Sequence, residues 1–350
     1  MSGLLYKAVF PFRRHLGDSC LYKSSLGISF RNVWAPSVIK PEKVENFRAI
    51  LENYEFSDTQ ISILAKLLPN IFSFSLQNNI LPKLKFFLSI GLSTSELPKV
   101  IMVNPALLSG SIEKQFIPCY NYLKTLVNSD EDIVRTIKRS PRIFSCNLNI
   151  MVSNVELLAQ AGVPQSFISY ILTRYPHSLQ MKCDKFKRSV DKAIKMGFDP
   201  STMIFIRAIY VLCEMSEQAW GSRIKVYRRF GLSDTEILSA FRSHPFFMKL
   251  SEEKIMRGME FYVKEMSCSP ANVARSPIVL FYNMERRIIP RCRVIKMLME
   301  KGLVKKYSLA NVLACTDEQF LKRFLVPPRA DCTIEYYFHY GSPYFFCGNK

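Results

Sequence analysis

The sequence lacks any apolar run of 18 residues, which is about the shortest length that spans a bilayer as a helix. Its most apolar stretch, residues 203–212, is interrupted by Arg207. With only 13 glycines and 19 prolines in 350 residues, collagen-like and low-complexity architectures are excluded. A hydrophobic content of 48% excludes a disordered chain, because it provides enough apolar material for a core. We therefore predict a folded protein without a membrane span.

Motifs for catalysis or metal binding are also missing. The ten cysteines form no CxxC pair, and the chain has no Asn-x-Ser/Thr site, so we interpret the thiols as free in a reducing compartment. The four histidines have no metal-ligand spacing, and no HExxH, GxGxxG, Walker or GxSxG motif occurs. The sequence predicts no enzyme activity, no cofactor and no metal site.

Acidic residues are almost absent from residues 1–40, where Asp18 is the single acid. The basic residues of this segment are Lys7, Arg13, Arg14, Lys23, Arg31 and Lys40. Basic, serine-containing, acid-poor N-termini are typical of organellar transit peptides, and no compact apolar segment suggests secretion. We predict a transit peptide over 1–40 and a mitochondrial location, with the chloroplast as the alternative.

The net charge of +19 is unevenly distributed. Residues 41–181 contain 13 basic and 11 acidic groups, whereas residues 182–329 contain 28 basic and 15 acidic groups. A basic half-molecule indicates a polyanionic partner, usually nucleic acid or anionic lipid.

Two residue types recur with one period of about 35 residues. The prolines are Pro69, Pro105, Pro141, Pro176, Pro245 and Pro277, and the glycines are Gly91, Gly162, Gly197, Gly231 and Gly302. The gap of 69 residues between Pro176 and Pro245 indicates one unit without its proline, with Val211 near that place. Periods of this length are typical of stacked helical repeats.

The sequence pattern of each unit predicts two helices. A capping box such as Ser57-x-x-Gln60 or Ser233-x-x-Glu236 begins the first helix, and the unit's proline ends it. Two apolar residues usually follow the proline, as in Phe247-Met248, and predict a short buried turn. A second, longer helix then extends to the glycine, the expected left-handed C-cap. No segment alternates with period two, so we predict an all-α solenoid over residues 44–326.

The pattern apolar-x-x-x-Pro-x-[IL]-[LF], seen in residues 137–144 and 273–280, resembles the mitochondrial transcription termination factor (mTERF) family, in particular its plant branch. Residues 54–61, 81–87 and 91–93 share the resemblance, which extends over about 44–326. The resemblance implies a superhelix of helical pairs, an organellar location, and binding to DNA or RNA in transcription or intron processing.

Basic residues recur at fixed distances after the unit prolines. Nine residues after a proline are Lys114, Lys185, Lys254 and Arg286, and nineteen after are Lys124, Lys195, Lys264 and Lys296. In one unit Lys185, Arg188, Lys192 and Lys195 share a helical face opposite Phe186, Val190, Ala193 and Ile194. Stacked units would align such cations along a phosphate backbone. An ordinary solvated helix face remains the other interpretation.

The predicted nucleic-acid-binding residues combine these positions with further basic residues of the C-terminal half. They are Lys185, Arg188, Lys192, Lys195, Arg223, Arg228, Arg229, Lys254, Arg257, Lys264, Arg286, Arg287, Arg291, Arg293 and Lys296. The arginines favour bidentate phosphate contact.

The main hypothesis is a monomeric factor that binds organellar DNA or RNA in mitochondrial gene expression, in transcription termination, its regulation or RNA processing. Other organellar gene-expression proteins are possible partners. The alternative is a protein-interaction solenoid that scaffolds an organellar complex without touching nucleic acid. Residues 327–350 show no repeat features and are interpreted as an irregular aromatic tail.

Overall fold

Helices account for the regular structure in residues 41–127 and 129–324, the part of the chain that this computed structural model describes, and no strand occurs there. The predicted all-α class is confirmed. The predicted transit peptide (1–40) and the aromatic tail (327–350) lie outside the described residues. Across the same ranges, no helix combines the length and apolar character needed to cross a bilayer.

Within these ranges, eighteen α-helices follow one another and pair into hairpins. They are α1 (Pro41–Asn53), α2 (Asp58–Leu67), α3 (Leu81–Ser89), α4 (Leu97–Val103), α5 (Ile117–Leu126), α6 (Asp130–Arg139), α7 (Leu148–Gln160), α8 (Gln165–Arg174), α9 (Pro176–Leu179), α10 (Cys183–Lys195), α11 (Met203–Glu214), α12 (Glu217–Arg229), α13 (Asp234–Ser243), α14 (Glu252–Glu260), α15 (Pro270–Arg275), α16 (Ile289–Glu300), α17 (Leu309–Ala314) and α18 (Asp317–Phe324). We call α2, α4, α6, α8, α11, α13 and α15 first helices. The second helices are α3, α5, α7, α10, α12, α14 and α16.

A short turn follows each unit proline, as predicted. Four of these turns are 3₁₀ segments that begin at the proline: Pro105–Leu108, Pro141–Phe144, Pro245–Lys249 and Pro277–Phe281. Ile71–Ser73 is the corresponding segment after Pro69, and α9 is the corresponding segment that begins at Pro176. We call these six segments the proline turns. Their apolar pairs are buried, as Phe247 and Met248 illustrate at 0% exposure. Burial of one such side chain contributes roughly 1.5–3 kcal/mol.

Every predicted glycine cap has the expected left-handed conformation. The φ angles are +101° at Gly91, +86° at Gly162, +82° at Gly197, +86° at Gly231 and +71° at Gly302. Residues with a Cβ rarely adopt this region, so glycine ends five of the second helices, α3, α7, α10, α12 and α16, at little steric cost.

The N-terminal capping boxes differ among units. Ser57 with Gln60 and Ser233 with Glu236 form both reciprocal hydrogen bonds of the box. At Ser93, only the backbone N–H donates to the Glu96 carboxylate, because the chain makes a turn there and α4 begins at Leu97.

Three second helices begin with a π-turn that the sequence analysis does not predict. The segments Leu76–Ile80, Ile112–Phe116 and Met284–Ile288 precede prolines at the start of α3, α5 and α16. Backbone N–H groups there donate five residues back, as from Ile80 to Ser75. Because proline lacks an N–H and crowds the preceding turn, the wider π-turn accommodates it without ending the helix.

The unit without a proline forms a different junction. Helix α11 continues through the buried Val211 to Glu214, and only Met215 and Ser216 separate it from α12. In the next unit, a proline turn stands between α13 and α14. This unit therefore lacks the apolar segment that elsewhere packs between neighbouring second helices.

Candidate nucleic-acid interface

The four basic residues predicted on one face of α10 are on the solvent side of that helix. Lys185, Arg188 and Lys195 are exposed, and Lys192 is partly exposed. The opposite side is buried through Phe186, Ser189, Val190 and Ala193. Ile194 was expected on the apolar side, but it is 44% exposed because it lies at the edge of the buried stripe.

These cations border a cleft of about 590 Å³ between α10 and the junction of α11 with α12. Its lining residues are Lys185, Arg188, Ser189, Asp191, Lys192, Lys195, Leu212, Met215, Ser216, Glu217 and Trp220. Four cations and two carboxylates therefore surround an apolar wall made by Leu212, Met215 and Trp220. The volume is within the range of about 300–1,000 Å³ that is typical of ligand clefts.

Lys192 has a different environment from the other three cations. Its Nζ lies 2.9 Å from Glu217 Oε1 and 5.1 Å from the centre of the Trp220 ring. Trp220 also packs edge-to-face against Phe241, with centroids 5.0 Å apart and planes at 88°. Lys192 is therefore already engaged across the cleft, whereas Lys185, Arg188 and Lys195 form no ion pair within the described ranges.

Seven other candidates are exposed on the C-terminal units. Arg229, Arg286 and Arg293 form no ion pair with a described residue, whereas Arg228 pairs with Asp234 and Arg257 pairs with Glu285, each at 2.6 Å. The remaining two interact weakly: Lys264 lies 3.9 Å from Glu260, and Lys296 donates to the Glu265 carbonyl at 3.2 Å. Exposed ion pairs contribute only about 0–1 kcal/mol, so phosphate can displace these carboxylates.

Four candidates face the interior of the array instead. Arg291 is 5% exposed and donates at 2.8 Å to the carbonyls of both Val312 and Cys315, and also to the Asp317 carboxylate. The expectation that Arg291 lies on the exposed basic face is wrong, because its guanidinium satisfies buried carbonyls at the end of α17.

Arg287, Arg223 and Lys254 are partly buried and also bond to the following unit. Arg287 donates to the carbonyls of Leu313 and Cys315. Arg223 donates to the Leu250 carbonyl and pairs with Glu252, each at 2.6 Å. Lys254 donates to the Phe281 carbonyl at 2.8 Å, and burial lowers its pKa. We therefore leave these three and Arg291 out of the proposed phosphate contacts.

These bonds belong to a series that links the second helices other than α10 to the next unit. Earlier members are Lys83 to Leu108, Cys119 to Ile143, and Asn154 to Leu179. Lys83, Cys119 and Arg291 each lie fourteen residues after their unit proline. That shared offset is a sequence signal that the search for exposed cations missed. Such a side chain donates to a carbonyl of the following unit, and it thereby satisfies a carbonyl that packing removes from water.

A second series uses the residue before the proline. Asn104 Nδ2 donates to the Pro141 carbonyl at 3.3 Å, and Ser140 Oγ lies 3.3 Å from His177 Nδ1. In later units aromatic contacts replace these bonds: Tyr175 stacks on Tyr210 with centroids 4.0 Å apart. The first series ties second helices to the following unit, and the second series ties the ends of first helices to the following unit.

Together, the stacked hairpins and the cations on their second helices define a helical-repeat protein of the α-solenoid class. The model of the mTERF family matches residues 49–257 and 206–321, which together are more than half of the sequence. The chain therefore belongs to the mTERF family.

Three relatives from Arabidopsis thaliana show the same kinship at low identity. Transcription termination factor MTEF18, mitochondrial, is 22% identical over 263 residues, which are 69% of this chain and 47% of the relative. Transcription termination factor MTERF8, chloroplastic, is 22% identical over 284 residues, 80% of this chain and 55% of the relative. Transcription termination factor MTERF15, mitochondrial, is 20% identical over 290 residues, which are 83% of this chain and 57% of the relative. The chain thus spans about half the length of these relatives.

Proposed function

We propose that the protein is an organellar nucleic-acid-binding factor in mitochondrial gene expression, acting in transcription termination, its regulation or RNA processing. The observation that carries this proposal is the exposed face of α10. Lys185, Arg188 and Lys195 are aligned there at the edge of a cleft, and within the described ranges none is paired with an acid.

The proposed contact set extends along the C-terminal second helices. It comprises Lys185, Arg188 and Lys195 of α10, with Arg229, Arg286 and Arg293 on the following units. Lys192, Arg228, Arg257, Lys264 and Lys296 are exposed or partly exposed secondary contacts. Because these side chains belong to successive second helices, a phosphate backbone that follows the array would meet them in order. Binding would then release counterions and weaken as salt rises.

The kinship supports the organellar part of the proposal. The names of the relatives describe transcription termination factors, two of them mitochondrial and one chloroplastic. We propose a mitochondrial location, with the chloroplast as the alternative, and a monomer that acts through binding and not through catalysis. Scaffolding of an organellar complex by protein contacts alone is the competing function.

A charge-reversal experiment separates these functions. The triple variant Lys185→Glu, Arg188→Glu, Lys195→Glu is compared with Lys66→Glu, Lys85→Glu, Lys99→Glu, three exposed lysines of the N-terminal units. Both variants change the net charge equally. Binding to organellar DNA and RNA fragments is measured by fluorescence anisotropy over a range of salt concentrations, and circular dichroism checks that both variants fold.

We expect the wild type and the control triple to bind with a steep salt dependence. In the α10 triple, the slope of log K against log salt should fall by roughly 2–3, since each lost phosphate contact removes about 0.7–0.9. Equal effects of both triples would place the binding surface elsewhere. No binding by the wild type would favour the scaffold.

A further inference from the structure

The cleft beside α10 occupies the place where other units hold a proline turn. From α3 to α16, side chains of the second helices donate to backbone carbonyls of the following unit, as Tyr227 of α12 does to Phe247 and Asn154 of α7 does to Leu179. Within the described ranges, α10 is the second helix that forms no such bond. The α11–α12 junction opposite it has no proline turn, and the space remains open as the cleft.

The lining of this cleft combines an apolar wall with a cationic border. Lys185, Arg188 and Lys195 are exposed at that border, where anionic groups are attracted. Two carboxylates also line the cleft: Asp191 is exposed on α10 between Arg188 and Lys195, and Glu217 is paired with Lys192. Carboxylates accept hydrogen bonds from amino groups of an uncharged ligand. An uncharged planar group attached to phosphates therefore suits the apolar wall and the cations together.

Trp220 supplies a preorganised stacking surface for such a group. Its edge-to-face contact with Phe241 fixes the ring in the wall of the cleft. The Lys192 ammonium lies over the ring, and its ion pair with Glu217 gives that cation a partner when a ligand displaces it from the ring. Base–aromatic stacking accepts any nucleobase, because every base has a π-face.

We propose that this cleft binds one unpaired nucleobase of a single-stranded nucleic acid, with the base against Trp220 and its flanking phosphates on Lys185, Arg188 and Lys195. This inference rests on the proposed nucleic-acid binding and adds the form of the ligand. A paired base inside a duplex has both faces covered by its neighbours, so a single strand presents the group that the cleft accepts. Single-stranded DNA and RNA share this chemistry.

The sequence offers a direct optical test, because Trp34 and Trp220 are its two tryptophans. The variant Trp34→Phe leaves Trp220 as the sole tryptophan fluorophore. This full-length variant is titrated with a single-stranded DNA, the same sequence as RNA, an abasic strand of equal length and a paired duplex. Anisotropy of a dye on each oligonucleotide reports binding separately from tryptophan quenching.

We expect the single-stranded DNA and the single-stranded RNA to quench the fluorescence of Trp220. Comparing the two titrations shows which of them the cleft prefers. The abasic strand should bind through its phosphates without quenching, and the duplex should not quench. Binding of the single strands without quenching, or equal quenching by the abasic strand or the duplex, overturns the base-binding inference and leaves phosphate binding intact. Absence of binding by every oligonucleotide overturns the proposed function as well.

A substitution gives the independent measurement. Trp220→Leu should weaken binding of the single strand by about 5- to 100-fold, the effect of losing one stacked base, and leave the affinity for the abasic strand unchanged. Trp220→Phe retains a ring and should recover most of the loss. Unchanged affinity for the single strand in Trp220→Leu contradicts the inference, and abasic-strand binding shows that this variant is folded.

Discussion

The Tyr227 hydroxyl donates a hydrogen bond of 2.9 Å to the carbonyl of Phe247 in the next unit. Thirty-five residues farther along, Tyr262 repeats this bond to Val279, also at 2.9 Å. Burial raises the pKa of both phenols, so each hydroxyl is protonated and donates at neutral pH. These bonds connect second helices to the following proline turns and are part of the solenoid's framework.

Removal of the Tyr227 hydroxyl should therefore destabilise the array. Tyr227→Phe leaves the ring in place, stacked on Phe247 at 4.0 Å, but leaves a buried carbonyl without its donor. We expect a loss of about 1–3 kcal/mol in the free energy of unfolding, measured by chemical denaturation. Tyr54→Phe is the control, since the Tyr54 hydroxyl forms no hydrogen bond within the described ranges. Equal stability of the two variants would contradict the structural role.

Arg291 and Arg286 should behave oppositely although both lie in the same basic segment. Arg291→Met removes the guanidinium donor to the Val312 carbonyl and one of the two arginine donors to the Cys315 carbonyl, and we expect about 1–3 kcal/mol of destabilisation with an unchanged salt slope of binding. Arg286→Met removes an exposed cation, which should reduce the salt slope by about 0.7–0.9 and change stability by less than about 0.5 kcal/mol. Denaturation and salt titration of both variants test the pair. Loss of binding without loss of stability in Arg291→Met would refute the assignment.

His244 should make stability fall in mild acid. Burial, with a smaller contribution from Arg207, lowers its pKa to about 4 from the ordinary 6.5, and its Nε2 is buried without a hydrogen-bond partner among the described residues. The folded state favours neutral imidazole, so this stability is complete above about pH 6.5 and declines as pH falls through about 4. A pKa shift of this size corresponds to about 3 kcal/mol in the free energy of unfolding.

The matched variant for that prediction is His244→Asn, because Asn104 occupies the same pre-proline position in another unit. Denaturation at several pH values should show that the difference between wild type and variant changes across the window from about pH 6.5 to about pH 4. Carboxylates with lowered pKa values, such as Asp234, titrate in both proteins and cancel in the difference. Parallel pH curves would show that His244 does not contribute.

Two glycine substitutions on α12 and its cap should have opposite effects. Gly231 has φ of +86° and open space where a Cβ would stand, so Gly231→Ala should cost roughly 1–2 kcal/mol through backbone conformation alone. Gly221 lies inside the helix with equally open space, and Gly221→Ala should stabilise by about 0.5–1 kcal/mol. Thermal and chemical unfolding compare the two. Stabilisation by both substitutions would show that the cap does not require glycine.

The organisation of the fold was predictable from the sequence because proline and glycine act on the backbone nearby. Pro245 ends α13 and opens its turn, and Gly231 ends α12, whatever lies across from them. The π-turns escaped prediction, since a proline near a helix start also fits an ordinary first turn. In α3, the wider turn at Leu76–Ile80 precedes its proline instead.

The candidate site was only partly predictable. The face of α10 followed from helical spacing, and Lys185, Arg188 and Lys195 are exposed there. Arg291 looked equivalent as a charge, but its role depends on carbonyls more than twenty residues away.

The sequence by itself determined the period, the helical class and the excess of positive charge, because these depend on residue types and on short-range backbone sterics. Tertiary structure decided which cations remain in solvent and where the cleft opens. Long side chains select partners from the neighbouring unit, and the missing proline at Val211 leaves space only once α10 and α12 are packed beside α11.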